Sequence, residues 1–516
     1  MIVAGGSARD AGLSRALIIV ALAAAVRLVF AALIPVLPDE AYYWLWSRHL
    51  SPGYFDHPYG IALLIRAGDA ALAPFGMRAT SIAVRVGPVV AGWIASIATV
   101  AIAHRIGGEK SALRAAIVMS ALPLAAAGLV LATPDAALLA TTAVALYCLV
   151  RALENSAGSR SSFVWWTLTG VMLGLAFSSK YTSILLPVAV TIAVLAKRDL
   201  RSRLKEPGPY VACVVAALVF TPVLVWNARH DWISFLFQVQ HGLSAPRGSA
   251  LLAAWKHEGD FFGGQAALAS PILFIMMAIA VGRTLRRGEG AARFALGFLA
   301  LVSFGFFVYS AVRQRVEPNW PAPAYIPAIV LLATTTWTRR GEAWLKAGIG
   351  LAVAMSVLIY VQAVAPVLPI PPSKDPVARA FGWRELSVAT RIAATSATAA
   401  NSAKTWSGGD RYQEASELAF YDSSHTPTFA MNLSGRKNQF DLWPRFADVA
   451  HAGDNLVLVL DDVAELHATI RALTPFFADV RQGQRVTLMR GRGEIGARRI
   501  WTLFGWRGGW PSGIPR

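Results

Sequence analysis

The chain has 516 residues, 55% of them hydrophobic and 15% charged, and its 48 Lys and Arg outnumber 30 Asp and Glu for a formal net charge of +18. A mean hydropathy of +0.48 excludes a soluble domain of ordinary composition. The cations sit in short connections between apolar runs, a pattern that orients a chain in a bilayer, so membrane lipid is the expected partner and no nucleic acid is.

At the start, Arg9 and Arg15 lead into an apolar stretch with no clean small-x-small cleavage site before Pro38, which predicts a retained signal anchor. Eleven spans follow from length and hydropathy, at about 16–37, 80–103, 114–133, 135–152, 162–179, 181–196, 209–226, 266–282, 294–312, 320–337 and 346–366. With a cytoplasmic N-terminus, the basic connections Arg105–Arg114, Arg151–Arg160, Lys197–Lys205, Arg283–Arg293 and Arg339–Lys346 all fall inside. Asp39, the Trp226–Gln265 loop and the C-terminal tail then face outward. Cys148 and Cys213 lie within apolar runs and read as small core residues, without metal spacing or a disulfide framework.

The fold class is therefore a polytopic α-helical membrane protein with a C-terminal periplasmic α/β domain. Residues 1–366 form the transmembrane domain, with a first outer loop at 38–79; 367–380 is a stiff Pro-rich linker, and 381–516 the tail domain. Within the tail, 383–400 reads as a helix, and 455–460 and 484–489 as strands.

The densest polar cluster lies at the mouth of the first span. Asp39 and Glu40 are followed by Tyr42, Tyr43, Trp44 and Trp46, then by His49, Tyr54, Asp56, His57 and Tyr59. An acid at a helix start complements the helix dipole, and aromatics gather at bilayer interfaces. Asp39 and Glu40 with two histidines among aromatics within twenty residues point instead to a pocket for sugar and phosphate. Asp135 has two readings, which can hold together. Thr133-Pro134-Asp135 is a helix-start pattern, and Asp135 on the outer face is also placed to hold a partner or a sugar hydroxyl. Lys180 either snorkels to the interface or binds an anion there. Arg313 and Arg315, with Trp320 close behind, form an outer-face cluster with no evident capping duty, and a lipid phosphate would suit them.

This inventory suits transfer of a sugar from a lipid phosphate. Phosphate leaves as an anion without a protonating acid, so one general base suffices and cations stabilise the departing group. A transporter is the alternative, but transporters place charges at the midplane and often carry inverted repeats, and neither pattern is evident.

The run PDEAYYWLWSRHLSPGYFDHP resembles the first outer loop of polyprenyl-phosphate-sugar-dependent glycosyltransferases of the GT-C type. The likeness is to the bacterial protein-mannosyltransferase-like family, which includes the aminoarabinose and galacturonic acid transferases of lipopolysaccharide. TPDAALL, SSKYTS, VEPNWPAPAY and RYQEASELAFYDSS…GRKNQFDLWP are similar to members of that family too. The resemblance implies that Asp39 is the catalytic acid of the first loop and Asp135 the second acidic position. Asp56-His57-Pro58-Tyr59 stands where the aminoarabinose enzymes have Glu-Lys-Pro-Pro, so His57 replaces a phosphate-binding lysine and the donor sugar does not carry over.

The expectation is an inverting, inner-membrane glycosyltransferase acting on the periplasmic side. Asp39 is the base, with Asp135 and Glu40 as supporting acids. His57, Asp56, Lys180, Arg313 and Arg315 surround the donor head, while Tyr42, Tyr54, Tyr59 and Trp320 line the sugar and prenyl path. The partners are a polyprenyl-phosphate-linked sugar and a lipid or glycolipid acceptor. No cofactor is assigned; Asp39, Glu40 and Asp135 are the carboxylates available to share a divalent ion, but they lack ordered ligand spacing.

Overall fold

A computed structural model of the chain describes residues 11–243, 250–422, 426–432, 435–463 and 470–510. Arg9 of the expected anchor and the Ser423–Ser424 end of one tail motif lie outside the described residues. The chain forms two compact units. One comprises residues up to 33 with 51–78 and 85–365; the other comprises 34–50, 79–84 and everything from 366 onward. The segment 38–79, expected as one outer loop of the transmembrane domain, is thus divided between them, and the 367–380 linker belongs to the tail unit.

The helical unit begins with α1 (Ala11–Leu33), whose 23 residues rise about 35 Å at ~1.5 Å each, enough for a ~30 Å hydrocarbon core. After α2 (Pro38–Arg48), which belongs to the tail unit, come α3 (Gly60–Leu72) and the 41-residue α4 (Ser81–Ala121). Gly108 divides α4 with φ of 72° and ψ of −165°, a backbone open mainly to glycine. The span expected at 114–133 is not continuous. Leu122 leaves the helix ahead of Pro123, and the short α5 (Pro123–Gly128) precedes α6 (Pro134–Glu154).

Next come α7 (Arg160–Phe177), α8 (Leu185–Ala196), the single turn α9 (Arg198–Arg201) and α10 (Pro207–Arg229). The expected 226–265 loop is instead largely helical, with α11 (Ile233–Leu243) and α12 (Ala250–Ala269). A sharp bend of 98° then leads into α13 (Pro271–Arg287). At that corner Ser270 has φ of 61°, accepts the Leu273 amide at 3.3 Å and donates to the Gly348 carbonyl at 3.2 Å. The unit closes with α14 (Ala291–Arg313), α15 (Ala322–Thr334) and α16 (Arg339–Val364).

Among the described residues six helices are long and apolar enough to cross a membrane, or seven if the bent α12–α13 pair is one span. The remaining expected spans fall on shorter helices, such as α8 and α15. Only 28% of the apolar windows of α1, α10 and α16 is buried inside the protein. Leu22, Val29, Val214, Leu218 and Val357 are correspondingly exposed. Such faces suit acyl chains rather than water, and this is a multi-pass membrane protein. Cys148 is buried as expected, whereas Cys213 lies on the exposed side of α10.

The tail unit is a five-stranded mixed sheet in the order β2-β1-β3-β5-β4. The strands are β1 (Thr405–Gly409), β2 (Thr428–Ala430), β3 (Asn455–Asp461), β4 (Phe477–Arg490) and β5 (Gly493–Trp506). β1 runs parallel to β2 and β3, while β5 is antiparallel to β3 and β4. β3 is buried from Asn455 to Leu460 because both faces of the sheet are covered, which explains its unbroken apolar run. α17 (Trp383–Asn401) sets Trp383 and Leu386 against Val457, Val459 and Ile500 on one face. Trp406, Phe446, Leu456, Leu458 and Trp506 pack on the other, Phe446 coming from the single turn α19 (Phe446–Val449). α18 (Tyr412–Tyr421) packs against α2, with Trp44 meeting Phe420 edge-on at 5.1 Å.

Candidate active site

In the helical unit, several expected residues meet around the N-terminus of α6. Pro134 opens that helix, and Asp135 lies in its first turn; Thr133 precedes it without making a side-chain cap. Lys180 enters from the turn after α7, and its Nζ donates to Asp135 Oδ1 at 2.7 Å. Asn319 donates from Nδ2 to Asp135 Oδ2 at 2.7 Å. Lys180 and Asp135 side chains are only 9% and 7% exposed, so each charge is desolvated and the other compensates it. Lys180 does not snorkel. An ammonium has three N–H donors, and among the described residues Asp135 accepts one; two remain. Asn319 is positioned by α12, where Gln265 donates to the Pro318 carbonyl at 3.0 Å and accepts from Tyr325 Oη at 2.8 Å.

The 51–60 turn is docked on the same region. Gly60 donates to the Ser178 carbonyl at 3.0 Å, and a Cβ at this glycine would come within 3.0 Å of Ser179 Cα, so only glycine permits the approach. Within the turn, Gly53 bridges Pro58, and the Tyr54 amide donates to the His57 carbonyl at 3.0 Å. Tyr54 is fully buried and its hydroxyl accepts the Ser51 amide at 3.1 Å, with burial pushing the phenol up to about 12. It therefore braces the turn instead of lining an open path. The Asp56 carbonyl accepts from Gln238 at 2.7 Å. His57 and Tyr59 are half-buried, Tyr59 at the start of α3.

The other cations behave locally. Arg313 donates to Tyr309 Oη at 2.8 Å, one helical turn back, and lies over its ring. Arg315 is exposed and pairs with Glu317 at 3.5 Å. Trp320 packs toward Phe307, centroid to centroid 6.3 Å.

In the tail unit, α2 separates its two acids. Glu40 is 1% exposed, and its Oε2 accepts the Leu37 amide at 2.9 Å, closing the first turn of its own helix. Asp39 is exposed and accepts a hydrogen bond from Tyr412 Oη at 3.0 Å. Tyr42 is buried, stacked among Tyr412, Trp46 and Phe440, and its hydroxyl accepts the Gln439 amide at 2.6 Å. It joins α2 to the tail segment rather than opening onto a sugar path. His49 lies near Trp443, and burial with the neighbouring Arg48 charge lowers its pKa.

The three carboxylates named above as available to a divalent ion already have partners. Both Asp135 oxygens hold protein donors and a Glu40 oxygen is spent on capping, and among the described residues no three His, Cys, Asp or Glu side chains gather. Sequence reasoning missed Asn319, Tyr412 and Gln439. All three lie inside motifs singled out above, but their partners are 184, 373 and 397 residues away.

Residues 56–226 match the family described as dolichyl-phosphate-mannose-protein mannosyltransferase. The fold is that of ArnT from Cupriavidus metallidurans bound to undecaprenyl phosphate, with a TM-score of 0.64 at 17% identity over 96% of this chain and 98% of that one. The chain shares the fold of that transferase. The archaeal oligosaccharyltransferase AglB from Archaeoglobus fulgidus has a similar fold, at a TM-score of 0.53 and 12% identity, over 86% of this chain and 69% of AglB. Lipid A galacturonosyltransferase RgtD of Rhizobium johnstonii is 28% identical over 293 residues, 57% of this chain. The match spans 59% of RgtD, under two thirds of its length.

Proposed function

We propose that this chain is an inner-membrane glycosyltransferase that moves a sugar from a polyprenyl phosphate to a lipid A-type or related envelope glycolipid, with inversion, on the periplasmic side. The observation that carries the reading is the division of labour between adjacent acids. Glu40 is spent on its helix, while Asp39 stays exposed and is held in place by the Tyr412 hydroxyl. An exposed, positioned carboxylate suits a general base.

In the reaction, the acceptor hydroxyl attacks the anomeric carbon from the face opposite the phosphate and gives its proton to Asp39. A new carbon–oxygen bond forms as the bond to phosphate breaks, and its electron pair leaves with the phosphate, whose second pKa near ~6 removes any need for an acid. Within the helical unit, the two N–H groups of Lys180 that Asp135 leaves unused suit an anion such as a lipid phosphate. Asp135 and Asn319 fix the direction in which that ammonium points. The family match over 56–226 and the likeness to RgtD support this chemistry and this acceptor class.

Mass spectrometry of envelope lipids from cells with and without the protein tests the assignment. One glycolipid should lose the mass of a single sugar when the protein is absent, and should stay unglycosylated when only Asp39→Asn protein is supplied. An unchanged lipid profile refutes the function.

A further inference from the structure

The tail unit contains a cavity of about 200 Å³ that the catalytic reading does not use. It is smaller than the roughly 300–1,000 Å³ of sites that enclose drug-sized ligands, so it has room for one polar head and not for a whole glycolipid. Arg379, Phe381, Trp383, Arg411 and Gln413 contribute to its wall, and so does Pro38 at the start of α2. Pro38 immediately precedes Asp39, and Tyr412, between Arg411 and Gln413, is the residue that donates to Asp39. The cavity therefore adjoins the exposed carboxylate from both of its supporting helices.

Its chemistry is mixed but ordered. Asp375 forms a buried ion pair with Arg490, and Glu414 pairs with Arg498 at 3.1 Å, which neutralises the two carboxylates of the wall. Burial also pushes the Glu414 carboxyl up, opposing the pull of Arg498. Phe381 and Trp383 are each fixed by a guanidinium over the ring, from Arg490 and Arg498. The cations left over stand at the rim. Arg379 is exposed and makes no ion pair among the described residues, and exposed Arg411 makes only long ones of 3.7 Å to Asp410 and 3.5 Å to Asp461.

We infer that this cavity is the acceptor-head site: it binds the phosphorylated sugar of the glycolipid, with Arg379 and Arg411 on the phosphate. The inference rests on the transferase reading above and adds where the acceptor is recognised. Arginine forks hold phosphate, polar wall groups meet sugar hydroxyls, and rigid rings exclude water from the remainder. The acceptor is thereby held beside the group that takes its proton.

The test uses the full chain in nanodiscs, with radiolabelled lipid A carrying both phosphates and the same lipid after enzymatic dephosphorylation. Arg379→Gln and Arg411→Gln should each weaken binding of the phosphorylated lipid about tenfold, matching the loss of one charge-assisted contact. Dephosphorylated lipid should bind the parent protein about as weakly and should no longer sense either substitution. Arg379→Lys should recover part of the loss, and an unshifted melting temperature confirms the fold. The inference is overturned if the parent protein does not bind phosphorylated lipid A, if affinity is the same in both glutamine variants, or if inorganic phosphate at equal concentration displaces the lipid. Transfer from polyprenyl-phosphate sugar is measured in parallel. Binding that depends on the two arginines without any transfer refutes the transferase reading alone, and transfer without arginine-dependent binding refutes the cavity alone.

Discussion

Removing Asp135 while keeping Lys180 is the most discriminating perturbation of the helical unit. Asp135→Ala leaves an ammonium only 9% exposed, without its counter-ion 2.7 Å away, and strands the Asn319 amide. Breaking a buried pair from one side costs about 3–5 kcal/mol, mostly for the uncompensated charge. Loss of the Asn319 bond adds roughly 0.5–1.5 kcal/mol. The double variant Asp135→Leu with Lys180→Met carries no orphan charge and should lie within about 2 kcal/mol of the parent protein, since apolar replacement of a buried pair is often close to neutral. Thermal unfolding in nanodiscs measures stability, and equilibrium binding of polyprenyl phosphate measures the anion site. The single variant should unfold first. The double variant should recover stability but not donor affinity, because the remaining Lys180 donors have gone with the lysine. If Asp135→Ala costs less than about 1 kcal/mol, or if the double variant binds polyprenyl phosphate normally, the pair is not the compensated anion site described here.

Asp39→Asn should cut turnover by roughly a hundredfold or more while donor binding persists, read from steady-state transfer and separate donor binding; near-parent turnover removes Asp39 as the base. Arg313→Ala, whose interactions are with Tyr309 on the same helix, should change donor affinity by less than about threefold, well short of the loss that follows from removing a charge-assisted contact. The Asp462 carboxylate, bonded by Arg499 and Arg485, is held below its ordinary range. Its contribution to the tail unit is therefore fully present above the ordinary Asp pKa and lost as pH falls through the lowered one, and Asp462→Asn should flatten the acid limb of thermal stability against pH. In a background without Cys148 and Cys213, a cysteine at Ser51 should react with an impermeant thiol reagent on intact spheroplasts while one at Ser202 stays protected; the reverse labelling inverts the topology.

The helices were legible where hydropathy alone decides them, as in α1, α6, α10, α14 and α16. Hydropathy is blind to direction, however. It could not see that the chain leaves its helix at Leu122, or that Ser270 turns two apolar helices through 98°. The helices between 226 and 265 were hidden because polar and aromatic residues interrupt the apolar pattern there. At the site, the residue types were readable but not their pairings. Lys180 and Asp135 each satisfied a local rule, as an interfacial lysine and a helix-start acid, and nothing local shows that they neutralise one another across 45 residues. Tyr42 failed for a similar reason, because an aromatic beside an acid reads as pocket wall until its neighbours from residues 412–440 are known.

The strand order of the tail has a consequence for a protein confined to a crowded membrane surface. Among the described residues, β2 and β4 are the strands at the sheet's margins. β2 is three residues long, too short to template another strand. β4 is long, but its register slips between Gln482 and Arg485 and again between Leu488 and Met489, and Arg481 and Arg485 stand exposed along it. Irregular backbone and repeated cations discourage a second sheet from adding on. Neighbouring copies, concentrated in two dimensions, thus lack a template for zipping their tails into a continuous ribbon.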